Sequence, residues 1–130
     1  MFKFMDLAIQ EAINAFNKNN VPVGAVIVKN NNIISSAHNQ DFWHAEILCI
    51  QKAQLILGKF LNDCSLFVTL EPCPMCLYAC SLAHINSIVC GASRTDYRKD
   101  EKTKKIELIK NIKQEQCSAL LKNYFNLKRL

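Results

Sequence analysis

Apolar residues recur every three or four positions through the first twenty, where Met5, Ile9, Ala12, Ile13 and Phe16 share one stripe. That period predicts an amphipathic helix. The pattern then changes. "VGAVIV" and "IISSAH" flank the polar run "KNNN", and two apolar runs around a polar tip predict a β-hairpin. From Trp43 to Leu57 the composition is helical, and Gly58 supplies a stop. "LFVTL" is a short, nearly continuous apolar run, the mark of a buried central strand. Pro74 sits where proline suits a first helical turn, opening a helix over "PMCLYACSLAHI". "SIVCGA" predicts another buried strand ending at Gly91, and "SRTDYRKDEKTKK" a charged connection. "IELIKNI" reads as a last strand and "QEQCSALLKNYFNLKRL" as a terminal amphipathic helix. Two strands followed by alternating helices and strands predict an α/β layered domain whose later strands run parallel.

The length of 130 residues fits one domain, residues 1–130, large enough to bury a core. Half the residues are apolar, yet no apolar run reaches the roughly 18 residues of a membrane span. A globular chain with no membrane role is expected. The stretch "MFKFMDLAIQEAINAFNKNN" carries acids and a helical period, unlike a secretory signal. A cytoplasmic location follows, where thiols stay reduced, and the odd count of seven cysteines argues against a closed disulfide framework.

Charge adds one asymmetry. Residues 1–97 hold six Lys/Arg and seven Asp/Glu, whereas residues 98–130 hold ten and four. The C-terminal third therefore offers a polyanion a positive surface, or else a merely solvated helix face.

The chemistry concentrates in "TLEPCPMCLYAC". By itself a C-x-x-C pair serves zinc sites and thiol redox sites about equally well. At a helix start both Cys73 and Cys76 gain from the positive end of the dipole, which lowers thiol pKa and favours metal. Upstream, "WHAE" puts His44 and Glu46 at the start of the preceding helix. Residues two apart point to nearly opposite sides of a helix, so they serve one site only if it lies off the helix end. Should both helices begin at one sheet edge, His44, Cys73 and Cys76 meet there, beyond the carboxyl ends of the strands. Two thiolates and one imidazole leave zinc an open fourth position. Thiolates weaken it as a Lewis acid, so a neighbouring base is useful, and Glu46 is the candidate. Cys80 lies a full turn deeper than Cys76. It reads as core, with Cys49, Cys64, Cys90 and Cys117, and His38 and His84 read as structural.

His44-Ala45-Glu46 followed by Pro72-Cys73-Pro74-Met75-Cys76 resembles the H-x-E…P-C-x-x-C signature of the zinc-dependent cytidine deaminase superfamily. Through "VPVGAVIV", "HAEI", "VTLEPCPMC", "IVCGA" and "CSALLKNYFNLKR" the chain is most similar to the bacterial tRNA adenosine deaminases. That resemblance implies a three-layer α/β/α domain, a mixed five-stranded sheet with helices on both faces. It implies hydrolytic deamination of the wobble adenosine, position 34, to inosine by a zinc-activated water, with a tRNA anticodon stem-loop as partner. One Zn2+ per subunit would be held by His44, Cys73 and Cys76, Glu46 would shuttle protons, and Asn39 would hydrogen-bond the target base. A homodimer is implied as well. From the residues alone, Asn39 reads nearly as well as an asparagine closing a strand or turn.

Two stretches depart from the family pattern: only "QDFW" separates Asn39 from His44, and "SRTDYRKDEKTKK" replaces a glycine-rich segment. Phe42 and Trp43 suit stacking on a splayed nucleotide, or Trp43 packs under the helix start as a staple. Lys122, Lys128 and Arg129 are placed to touch phosphates, while Leu120, Leu121 and Phe125 pack the last helix down. The shortened loops keep open a deaminase of a free base or nucleoside, such as guanine, cytosine or cytidine. A catalytically idle zinc- or RNA-binding module is the third reading, and Glu46 argues against it.

Overall fold

The computed structural model describes residues 1–94 and 106–128. Beyond Arg94 the connection read from "SRTDYRKDEKTKK" lies outside the described residues, as does Arg129. The element order is α1 (Phe2–Asn17), β1 (Gly24–Lys29), β2 (Asn32–His38), α2 (Ala45–Leu57) and β3 (Cys64–Leu70), then α3 (Pro74–Leu82), β4 (Ser87–Ala92), β5 (Glu107–Ile109) and α4 (Gln114–Lys128).

The sheet runs β2-β1-β3-β4-β5. Strand β1 is antiparallel to both its neighbours, and β3, β4 and β5 pair in parallel. It follows that β2, β3, β4 and β5 all point one way and β1 alone opposes them. Their carboxyl ends therefore share one sheet edge. The hairpin between β1 and β2 turns on Asn30 and Asn31, at φ 52 and 62, a left-handed conformation that asparagine tolerates.

Alternation along the strands feeds two cores. Ala25, Ile27, Leu66, Val68, Ile88 and Cys90 face α2 and α3, meeting Ala45, Cys49, Ala53 and Cys80. Val26, Val28, Phe67 and Val89 face the other way, against Phe4, Met5, Ala8 and Cys117. The sheet is thus mixed, open and covered on both faces, the three-layer arrangement that the resemblance implied. Full burial of Ile27, Leu66 and Ile88 stabilises by about 2 kcal/mol for each side chain.

Helix α1 buries Phe4, Met5, Ala8, Ala12 and Ala15, a stripe rotated from the expected one, and Ile9, Ile13 and Phe16 are only half-buried. Small residues win because the helix presses on β1. A Cβ on Gly24 would stand 1.9 Å from the Ala8 carbonyl oxygen and 2.6 Å from the Ala12 nitrogen. Helix α2 starts at Ala45 rather than Trp43, because Gln40 and Trp43 exchange backbone hydrogen bonds and close a turn. It ends where Gly58 takes φ 95, as the sequence predicts. Helix α3 stops at Leu82, short of the expected Ile85, and His84 adopts φ 65.

Candidate active site

The edge where β2, β3 and β4 end determines what meets there. Leaving β2, the chain passes Asn39 and the Gln40–Trp43 turn, then His44 caps α2. Leaving β3, it passes Glu71 and Pro72, then Cys73 caps α3. Both cap residues hold extended backbone, φ −71 and −69, and neither spends its side chain on the cap. The imidazole and the thiol are left to face each other. Pro74 fixes the first turn of α3 and sets Cys76 just inside it.

His44 Nδ1 lies 3.2 Å from Cys76 Sγ and 3.6 Å from Cys73 Sγ, and the ligand atoms of all three residues lie within 4.8 Å of one another. Around a tetrahedral zinc with bonds of about 2.1 and 2.3 Å, the N···S edge is about 3.6 Å. The spacing and the soft donor set therefore fit zinc. Among the described residues no other cluster of this kind occurs. Cys80 is wholly buried in the core, as expected.

The electrostatics also call for a cation. Sequence reasoning expected the helix start to lower both thiols. Instead, burial pushes the Cys76 thiol far above its ordinary range, helped by the nearby Glu46 and Cys73. A crowd of potential anions in a desolvated corner outweighs one helix terminus, and a bound divalent ion reverses that balance. Glu46 is 4% exposed. Burial lifts its carboxyl above the usual carboxylate range, against the pull of its own backbone N–H, His44 and Arg94. Burial, the largest cause, likewise pushes the Cys49 and Cys90 thiols up to about 12, the behaviour of inert core sulfur.

A cleft of about 440 Å³ opens beside this corner, and His44, Glu46 and Asn39 all line it. Glu46 and His44 share it off the helix end, the one geometry their spacing allows. Asn39 takes the structural role considered for it. Its Oδ1 accepts the Ala45 N–H at 2.7 Å, steadying the start of α2, and the residue lines the cleft.

Several wall residues escaped the sequence reading. Arg94 lines the cleft and is set by Glu71, which is 3% exposed. The Glu71 carbonyl accepts from Arg94 Nε at 2.9 Å, and its carboxylate lies 3.5 Å from Lys110 Nζ. Leu121 and Phe125 also line the cleft. Phe125, 47% exposed, does not pack α4 down as expected. That task falls to Cys117, to Leu121, which packs against both cores as expected, and to Tyr124, whose ring meets Phe16 at 6.3 Å and whose hydroxyl donates to the Asn19 carbonyl at 3.4 Å. The spacing 117, 121, 124 was the available signal. Trp43 is 60% exposed, so the staple does not form.

Known proteins share this arrangement. Residues 2–92 match the family model of the cytidine and deoxycytidylate deaminase zinc-binding region. The tRNA-specific adenosine deaminase of Aquifex aeolicus is 47% identical over 96 residues, which cover 68% of this chain and 64% of that protein. The chain thus spans just under two thirds of that relative's length. The tRNA-specific adenosine deaminase of Bacillus subtilis is 34% identical, covering 94% of this chain and 86% of its own. A structure from studies of A-to-I editing by tRNA:A34 deaminases at the wobble position matches with TM-score 0.87 and 29% identity, over 93% of this chain and 100% of that one. A guanine deaminase structure from Bacillus subtilis reaches TM-score 0.67 and 37% identity, over 72% of this chain and 65% of that one. The family match runs through His44, Glu46, Cys73 and Cys76, and the chain belongs to the cytidine and deoxycytidylate deaminase family, alongside the tRNA-specific adenosine deaminases.

Proposed function

We propose that this chain hydrolyses the wobble adenosine, position 34, of a tRNA anticodon stem-loop to inosine, releasing ammonia. The observation that carries this reading is the buried Glu46, which with His44 lines an open cleft beside the cluster that His44 forms with Cys73 and Cys76. His44, Cys73 and Cys76 would hold one zinc per subunit. When bound, the metal supplies a lowered pKa for water at its open position.

The remaining work belongs to the chain. Attack of water at adenine C6 with loss of N6 as ammonia requires one proton moved to ring N1 and another to N6. Glu46 is the group placed to take each from the water and deliver it. Desolvation raises the proton affinity of its carboxyl, which favours taking the proton that it then passes to the purine. The Asn39 amide donates to the base and fixes its approach. Val21, Val23 and Leu70 give the cleft an apolar side against which a purine packs.

Lys122 and Lys128, exposed on α4, are offered to the phosphates of the stem-loop. Residues 1–130 act as one domain. A homodimer is supported by apolar side chains left in water along α2 and α3, with Leu55 at 88%, Ile56 at 64% and Leu82 at 61% exposure. Among the described residues no helix is long and apolar enough to cross a membrane, and we place the enzyme in the cytoplasm with its RNA.

The test is a deamination assay on purified, zinc-loaded protein. An anticodon stem-loop with adenosine at the wobble position runs beside free guanine, cytosine and cytidine. Inosine in the stem-loop alone is the expected result. Turnover of a free base alone would replace the RNA with a small substrate.

A further inference from the structure

The link from Asn39 to His44 carries the most exposed aromatic ring among the described residues. Phe42 is 94% exposed and Trp43 60% exposed. Their backbone is nevertheless held. The Gln40 N–H donates to the Trp43 carbonyl at 3.0 Å, and the Trp43 N–H donates to the Gln40 carbonyl at 2.9 Å. A third bond runs from the Asp41 N–H to Asn20 Oδ1 at 3.1 Å, with Asp41 at φ 53. A four-residue turn, Gln40 to Trp43, tied at three backbone points, presents both rings to solvent. The residues at either end of this link, Asn39 and His44, both line the cleft.

We infer that Phe42 and Trp43 form a stacking platform for an unpaired nucleobase adjacent to the nucleotide that enters the cleft. The inference rests on the proposed action on an anticodon loop and names how that site holds its RNA. The chemistry of the tip selects the base over the backbone. Every base has a face that stacks on an aromatic ring, whereas the Asp41 carboxylate at the same tip repels phosphate. Phosphates have their own partners on another element, at Lys122 and Lys128 of α4. A second copy of the chain has a broader apolar surface elsewhere, around Leu55, Ile56 and Leu82. The tip is joined at both ends to residues of the cleft wall, Asn39 and His44, so a base held there lies next to the nucleotide that enters the cleft.

Trp43 is the chain's single tryptophan, so its emission reports on this tip alone. The experiment titrates zinc-loaded full-length protein with the anticodon stem-loop, reading tryptophan emission. In parallel, KM, kcat, zinc content and sedimentation are measured for wild type, Phe42→Ala, Trp43→Ala and Trp43→Phe. Stacking predicts saturable quenching, absent with a stem-loop made abasic at the nucleotides flanking the target. Trp43→Ala should raise KM about 5- to 100-fold with kcat within about threefold, and Trp43→Phe should recover most of the loss. Phe42→Ala should raise KM in the same direction, and because Phe42 is exposed its removal leaves the core untouched. Unchanged KM in both alanine variants of an enzyme that makes inosine overturns the platform. So does a shift from dimer to monomer in either, which would assign the tip to a second copy. Quenching by RNA without inosine formation would uphold the platform and sink the proposed reaction. Neither quenching nor inosine would sink both.

Discussion

Against one face of the sheet, α2 and α3 bring their N-termini to the edge where β2, β3 and β4 end, and the residues capping them are His44 and Cys73. Against the other face, α1 and α4 deliver no such groups to that edge. What α4 contributes is a flank, with Leu121 and Phe125 along the cleft and Tyr124 anchored near Asn19. The two faces differ in how position is determined. A helix start inherits its place from the strand before it, to within a few residues, so chemistry demanding ångström placement sits there. A flank inherits its place from packing partners far along the chain, which suffices for a wall.

Cys76 and Cys80 put this contrast to its strongest test, since both lie on α3 and both are wholly buried. Cys76→Ala should lose the zinc and, with it, all measurable deamination, because three ligands become two. Cys80→Ala should keep one zinc per chain and most of its activity, at a cost of about 1 kcal/mol in stability. Metal content by mass spectrometry decides it. Equal loss in both variants would break the distinction between helix end and helix flank.

On the opposite face, Gly24→Ala should unsettle the fold without touching the metal. The new Cβ would fall 1.9 Å from a backbone oxygen of α1, so the helix must move. About 3 kcal/mol of stability should go, seen as a melting temperature roughly 10 °C lower, with zinc per folded chain unchanged.

Asn39 separates positioning from contact. Asn39→Asp keeps the oxygen that accepts the Ala45 N–H and removes the amide donor. Its melting temperature should stay near wild type while kcat/KM falls about tenfold or more. Asn39→Ala should lose both, with about 1 kcal/mol less stability. If the two variants melt alike, the bond to Ala45 has no structural role. The smallest effect belongs to the flank itself. Lys122→Ala should raise KM for RNA only two- to threefold and lower the slope of log KM against log salt by about 0.7.

This division also explains what could be read from the chain. "HAE" and "PCPMC" were legible because each motif is local, lies just after a strand, and carries residue types with few other uses. The hairpin was legible because "KNNN" interrupts two apolar runs. The stripe of α1 was misplaced by part of a turn. Its buried positions are alanines chosen by the closeness of Gly24, and periodicity weighs an alanine less than an isoleucine. Phe125 was assigned to packing because an aromatic on an amphipathic helix usually packs; nothing local says that the helix passes a cleft. Glu71 and Arg94 act through contacts formed only when the loops after β3 and β4 lie side by side, and no spacing rule announces such a pair. The depressed thiol pKa expected of Cys76 is overturned first by burial, which only the packed fold reveals, and then by Glu46, 30 positions away in the chain.

Glu46→Gln tests the arrangement most directly, by measuring zinc content and inosine formation on the same preparation. Glutamine keeps the size and the buried contacts and cannot carry a proton between water and purine. One zinc per chain should remain while kcat falls by about 10²- to 10⁴-fold. A Glu46→Gln protein that holds its zinc and turns over at the wild-type rate would contradict a proton-moving Glu46, and with it the reading of this cleft as a deaminase site built on two helix starts.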